Sequence, residues 1–392
     1  MRRLINPDRV ALTGSILGLA SLLLGWLTLK PNRLAAGTSL NLSESLGQPG
    51  AMAIVVLWLL CLALSLVKLK RGRSIGLGIT ANILLILTLV LVGLASGRLL
   101  EGEPAAARVS LGTGFWVTLA ATYTVIFAAR RLLDGWHTWQ NLVSFSGLVV
   151  LAFLLSVGWL NNISVMEEFS GYQQRFVQEL LQHMRLFGIS VAIGTVIGIP
   201  LGIWATRKKH AEKPVFFTTS IVQTIPSLAL FGLLIAPLSA ISFAFPVLRD
   251  IGIRGVGITP AIIALTIYSL LPVVRNTYVG IRQVDPATID AGLGMGMSRW
   301  QVFRRVEAPL AAPLVLEGVR TASVQAVGLA TVAALIGAGG LGWFVFRGIG
   351  QAAPDLIVLG AIPVIILALL VDALMRTIVR LGTPKGLGGE RR

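Results

Sequence analysis

Cysteine is all but absent. The single Cys61 sits inside an apolar run, which leaves neither an intrachain disulfide framework nor a cysteine metal site and reads as a small buried hydrophobe. Histidine is nearly as scarce: His137, His183 and His210 fall in separate segments, with no carboxylate at metal-ligand spacing. Charged residues make up only 13% of the chain, and the 17 acids are outnumbered by 33 bases. The sequence Gly-x-x-x-x-Gly-Lys-Ser/Thr does not occur, so this chain supplies no ATP site of that kind. No catalytic constellation emerges from the residues that remain.

What is present is apolar. Over 392 residues, 55% are hydrophobic and the mean hydropathy is +0.82, too little polar surface to clothe a water-soluble domain. The net charge of +16 raises the question of nucleic acid. Its basic residues, however, lie in short clusters between apolar runs, where tracking phosphates requires a basic face on a soluble fold. That distribution excludes nucleic acid as a partner and points to membrane lipid.

A helix needs about 20 apolar residues to cross a hydrocarbon core of roughly 30 Å. Ten runs approach that length, at 10–29, 50–67, 75–96, 111–129, 141–160, 184–206, 215–237, 257–275, 312–336 and 355–376. The first follows Arg2, Arg3 and Arg9 and is too long for a signal peptide's apolar region, so it reads as an uncleaved transmembrane helix. With alternating spans and a cytoplasmic N-terminus, 24 of the 33 basic residues face inward. That asymmetry predicts both termini in the cytoplasm.

The expected organisation is a five-helix membrane extension (1–160), an extracytoplasmic connector (161–182) and a second five-helix core (183–380). A cytoplasmic tail (381–392) follows. Within the connector, residues 166–181 have the pattern of a short amphipathic helix lying on the outer surface. No sequence repeat relates the two halves, which argues against an internally duplicated secondary transporter.

Between the eighth and ninth spans, residues 282–310 form a long segment on the predicted cytoplasmic side. Pro286 can open a helix and Gly296 can end it, since glycine accepts the left-handed cap conformation. Ser298 is placed to N-cap a second short helix, with Trp300, Val302, Phe303 and Val306 on an apolar face and Arg299, Arg304 and Arg305 on a basic one. Such a helix can dock on a partner.

This segment resembles the cytoplasmic loop of ABC importer permeases, which reads Glu-Ala-Ala, three residues, Gly, nine residues, Ile, one residue, Leu-Pro. Here Asp290, Ala291 and Gly292, then Gly296, then Val306, Ala308 and Pro309 stand at the same spacing. The departures are Asp for Glu, Gly for the second Ala, Val for Ile and Ala for Leu, and the extra glycine loosens the first helix slightly. Further segments are similar to the osmoprotectant branch of that family, which includes permeases for glycine betaine, choline and carnitine. They are His183-Met-Arg-Leu-Phe, Gly198-Ile-Pro-Leu-Gly, Gln223-Thr-Ile-Pro-Ser-Leu-Ala, Leu271-Pro-Val-Val-Arg-Asn-Thr, Val284-Asp-Pro, Arg320-Thr-Ala and Leu335-Ile-Gly-Ala-Gly-Gly-Leu-Gly. The longer N-terminal half adds a likeness to YehY-like permeases.

The resemblance implies an all-α integral membrane protein of about ten transmembrane helices, whose C-terminal five form a MetI-like permease core in the bacterial inner membrane. It also implies ABC ATPase subunits that use ATP and Mg, an extracytoplasmic substrate-binding protein, and a second permease copy or shorter sister permease. No cofactor is expected on this chain. In the family the loop inserts into a groove of the ATPase, a role that would fall here to Asp290, Ala291, Gly292, Gly296, Arg299, Val306 and Pro309.

Other residues invite a second reading. Gly194, Gly198 and Gly202 let another helix approach closely, and Pro200 is placed to kink their own helix. Gln223, Thr224, Pro226 and Ser227 interrupt an apolar span and suggest the lining of a translocation path, although Ser and Thr also bond their own helix backbone. The Gly-x-Gly-x-x-Gly run from Gly337 lacks the strand a dinucleotide site needs, so Gly339 and Gly340 read as a tight turn near a gate. Asp372 and Arg376, four apart, read as an ion pair and not a proton relay. Two other classes compete: an ion-coupled secondary transporter, which would need buried midplane carboxylates, and a non-transporting membrane sensor.

Overall fold

Most of the long apolar runs form helices, and the computed structural model, which describes residues 8–67, 71–133, 135–250 and 252–384, is built almost wholly of them. The chain divides into two units: up to Gly171 with Gln351–Asp355, and Tyr172–Gly350 with the residues from Leu356 onward. The predicted terminal basic clusters at 1–7 and 385–392, with Lys68 and Lys70, lie outside the described residues.

In the first unit, α1 (Arg9–Ser21) is capped by Asp8, whose carboxylate accepts from the Val10 and Ala11 amides at 3.0 Å. Strands β1 (Leu27–Lys30) and β2 (Thr38–Leu40) follow, then α2 (Leu42–Leu66), α3 (Arg71–Leu100), β3 (Arg108–Leu111), α4 (Thr113–Leu132) and α5 (His137–Ser156). The strands pair antiparallel in the order β2-β1-β3. Helix α1 packs on α4, where Ser21 and Thr118 hydroxyls meet at 2.6 Å, and α3 packs against α2, α4 and α5 around buried Trp26, Trp58, Cys61 and Leu84. Beside the sheet, Asp355 is buried and accepts from Ser110 at 2.6 Å and Ser164 at 2.9 Å, with Lys30 at 3.4 Å. Arg33 pairs with Glu168 and Arg108 with Glu167, both at 2.5 Å, so each acid of this cluster is matched by a base.

Helix α6 (Ser164–Arg207) starts in the first unit and continues into the second. Then come α7 (Lys209–Thr224), α8 (Ser227–Ala244), α9 (Pro246–Asp250), α10 (Ile258–Arg282), α11 (Pro286–Gly294), α12 (Arg299–Val302) and a π-helical turn (Phe303–Glu307). The chain closes with α13 (Ala308–Val332), α14 (Gly342–Gly350) and α15 (Pro354–Gly382). Helix α10 is the hub of the second unit, packing on α7, α8 and most extensively α13, with Ala261, Ala264, Leu265 and Ala330 buried at its centre.

Four sequence expectations change. The run 10–29 is not one helix: α1 spans only 13 residues and Leu27–Lys30 are in the sheet, since a uniformly apolar run does not by itself distinguish helix from strand. The run 215–237 is two helices, because Pro226 has no amide to donate and forces Ile225 to extended backbone (φ −74°, ψ 127°). The connector helix expected at 166–181 is not a separate element: it runs from the opening of α6 across a kink at Tyr172 (φ −126°, ψ 20°), while Pro200 sits further along α6 without a break. Among the described residues, eight helical stretches are long and apolar enough to span a membrane. They are α2, α3, α5, α6, α8, α10, the run Arg299–Ile336 and α15, so the helical class stands, with a small sheet added to it.

Candidate functional site

The segment after α10 folds as its local chemistry dictates. Asp285 caps α11 by accepting from the Ala287 amide at 2.9 Å, and Pro286 occupies the first turn, where no intrahelical donor is needed. At the far end the Gly296 amide donates to Leu293 O (2.9 Å) and the Met297 amide to Gly292 O (3.2 Å), the paired bonds of a Schellman cap. Gly296 has φ +82°, a conformation that disfavours every L side chain, yet a Cβ added there meets nothing within 4 Å. Ser298 opens α12 with a capping box: its hydroxyl accepts from the Gln301 amide (3.3 Å), and the Gln301 side chain accepts from the Ser298 amide (2.7 Å).

Asp290 and Ala291 lie exposed on α11, while Gly292 is buried against Val302. The expected apolar face of the second helix divides in two. Val302 is buried and Val306 half-buried, but Trp300 is 65% exposed and stacks on Phe303 with ring centroids 5.5 Å apart. Arg299, Arg304 and Arg305 are exposed, with no ion-pair partner among the described residues. Pro309 is exposed at the start of α13. Between these elements and the end of α6 lies a groove of about 540 Å³, lined by Ile203, Leu293, Arg299, Trp300 and Phe303 and by an ion pair between Arg207 and Glu307. Glu307 is buried at the π-helical turn, and Arg207 is its one ion-pair partner among the described residues.

The residues expected along a path fall into two sets held by different helices. Gln223 donates to Tyr268 O at 3.1 Å, and the Tyr268 hydroxyl donates to Ile225 O, satisfying a carbonyl freed where α7 breaks. Thr224 bonds its own helix at Ile221 O (2.7 Å), and Pro226 and Ser227 open α8. Gly339 and Gly340, at φ +75° and +86°, belong to a turn clasped by α6. Glu179 accepts from the Gly340 amide at 2.6 Å, Gln182 donates to Ala338 O at 3.1 Å, and His183 Nδ1 accepts from the Leu341 amide at 3.3 Å. His183 Nε2 therefore carries the proton and donates to Val327 O at 3.0 Å.

Gly194, Gly198 and Gly202 face Ser269, Val273 and Thr277 of α10, where an added Cβ would lie 2.6–2.8 Å from each side chain, the close approach their spacing predicts. Asp372 pairs with Arg376 at 2.6 Å as expected, and equally with Arg320, which also holds Glu317 at 2.6 Å.

Two family models match. Residues 7–166 fit the N-terminal domain of ABC transporter permease YehY, and residues 198–381 fit the binding-protein-dependent transport system inner membrane component. A glycine betaine/carnitine/choline transport system permease of Bacillus subtilis is 41% identical over 210 residues, covering 54% of this chain and 89% of the relative. The chain belongs to the inner-membrane permease components of binding-protein-dependent ABC transport systems. This permease is also similar to the osmoprotectant import permease OsmW of Salmonella typhimurium, at 39% identity over 53% of this chain and 91% of that one. A chain of the inward-facing MetNI methionine transporter overlaps 55% of the permease and 99% of its own length, at 22% identity and TM-score 0.45.

Membership makes the chain a multi-pass inner-membrane transport subunit and not the ATP-hydrolysing one, within a system that includes an ATPase and a binding protein. The ion-coupled and sensor alternatives gain no support from it. Several residues that organise the permease's site escaped the sequence reading: Glu179, Arg207, Tyr268 and Glu307. Only Glu179 carried a local signal, standing four residues after Arg175, to which it is ion-paired at 2.6 Å.

Proposed function

We propose that this permease imports quaternary-amine osmoprotectants of the glycine betaine, choline and carnitine class. The observation that carries the cargo is that relatives about 40% identical, each covered over nearly nine-tenths of its length, are named for those compounds. The coupling loop is 282–310, with Asp290, Ala291, Gly292, Gly296, Arg299, Val306 and Pro309 at the contact with the ATPase. Support for that reading comes from the exposed basic side chains and the exposed Trp300 beside a fixed, capped turn. ATP and Mg are used by that partner. Two permeases, identical or one a shorter sister, enclose a path on which Gln223, Thr224, Pro226, Ser227, Gly339 and Gly340 lie, and both termini face the cytoplasm. Residues 1–160 are an extension to a core over 183–380. Closure of the ATPases draws the coupling loops together, and the packed helices convert that shift into opening of the gate.

Uptake of radiolabelled glycine betaine, choline and carnitine in cells with and without this subunit tests the reading. Loss of uptake of at least one of them on deletion is expected. Equal uptake of all three with and without the subunit would refute the cargo.

A further inference from the structure

A load placed on the 286–307 segment needs a route to the membrane helices, and its covalent continuations reach α10 on one side and α13 on the other. The second unit contains another. Trp300, the most exposed ring of the segment, stacks on Phe303 at 5.5 Å with an interplanar angle of 29°. The Arg207 guanidinium lies over the Phe303 ring, 5.5 Å from its centroid, and pairs with Glu307, which is only 4% exposed. Arg207 is the last residue of α6, and α6 is keyed to α10 through Gly194, Gly198 and Gly202. An uncompensated carboxylate at the Glu307 position is costly, so the pair resists separation. The turn it sits on is π-helical, a geometry that recurs at functional sites, and the adjoining 540 Å³ groove leaves room for the rings to shift.

We propose that the Trp300–Phe303 stack and the Arg207–Glu307 ion pair form one relay that transmits displacement of the coupling segment into α6, with Arg207 and Glu307 as positioning residues. The inference rests on the ATPase-coupling role assigned above. It differs from that role in naming α6 as a receiver of the motion.

The test uses the full transporter reconstituted in liposomes with its ATPase and binding protein. Arg207→Gln, Glu307→Gln and the exchanged pair Arg207→Glu with Glu307→Arg are compared with Glu212→Gln, which removes a looser interhelical pair to Arg282 at 3.8 Å. The readouts are copurified ATPase, ATP hydrolysis, and uptake of labelled glycine betaine, choline or carnitine. The relay predicts that each single variant retains its ATPase and hydrolyses ATP at near the wild-type rate while uptake falls about tenfold or more, a typical coupling magnitude. The exchanged pair restores the charge match but not the Arg207–Phe303 contact and so recovers part of that uptake, and Glu212→Gln matches wild type. Wild-type uptake per ATP in both single variants would overturn the relay. So would loss of the ATPase from them, which would make the pair structural support for docking. If wild type itself retains no ATPase, the coupling reading fails and the relay falls with it.

Discussion

Replacing Gly296 with valine should uncouple ATP hydrolysis from transport while leaving the permease correctly inserted. The position holds φ +82°, where an L residue costs about 1–2 kcal/mol and a β-branched one sits beyond that range. If the turn instead relaxes, it forfeits the Gly296-to-Leu293 and Met297-to-Gly292 hydrogen bonds, each worth about 0.5–1.5 kcal/mol. Either way the penalty is about 1–3 kcal/mol, and every 1.4 kcal/mol lowers the population of the native turn about tenfold. Because nothing lies within 4 Å of the added Cβ, the cost stays in the turn and does not spread into the membrane helices. Membrane abundance should therefore match wild type while uptake falls. A graded series sharpens the test: asparagine, which tolerates the left-handed region, should be mildest, alanine intermediate and valine most severe. The assay compares uptake normalised to permease abundance, with ATPase activity of the purified complex. Unchanged uptake by a well-expressed Gly296→Val protein would refute the reasoning.

Gly292→Ala restores the alanine of the family motif, and its Cβ would lie 3.3 Å from Val302, a tight contact relieved when the Val302 side chain gives by a few tenths of an ångström. With about 1 kcal/mol of helix propensity gained, transport near wild type and equal or higher thermal stability of the purified protein are expected. Gly202→Leu should do the reverse, since its Cβ alone would sit 2.6 Å from Thr277 and 2.8 Å from Val274 O. A loss of about 1–3 kcal/mol follows, visible as a lower melting temperature in detergent. Tyr268→Phe deletes the donor to Ile225 O and should cost about 1 kcal/mol or somewhat more, detected as faster proteolysis or hydrogen exchange around the α7–α8 break, with insertion intact.

Much of the 286–307 segment was legible because its determinants are local. Pro286, Gly296 and Ser298 each act within one turn of chain, through a missing amide, a permitted φ and a side-chain cap, so their order in the sequence is their order in space. The glycine spacing on α6 was legible for the same reason, although the sequence did not name α10 as the helix it meets. The first apolar run misled because hydropathy records what is buried and not the backbone period, and Leu27–Lys30 are held by strands contributed from 38–40 and 108–111.

Composition and the lengths of the apolar runs by themselves determined a helical membrane protein, the resemblance carried by 290–309 added the permease family, and local signals marked Gly296 as a helix end, because lipid burial and cap geometry are properties of short stretches. Tertiary structure alone decided that Glu179 and His183 clasp the Gly339–Gly340 turn and that Arg207 answers Glu307 a hundred residues away. A buried polar group must find its partner wherever packing places one, and nothing in the spacing along the chain encodes that choice.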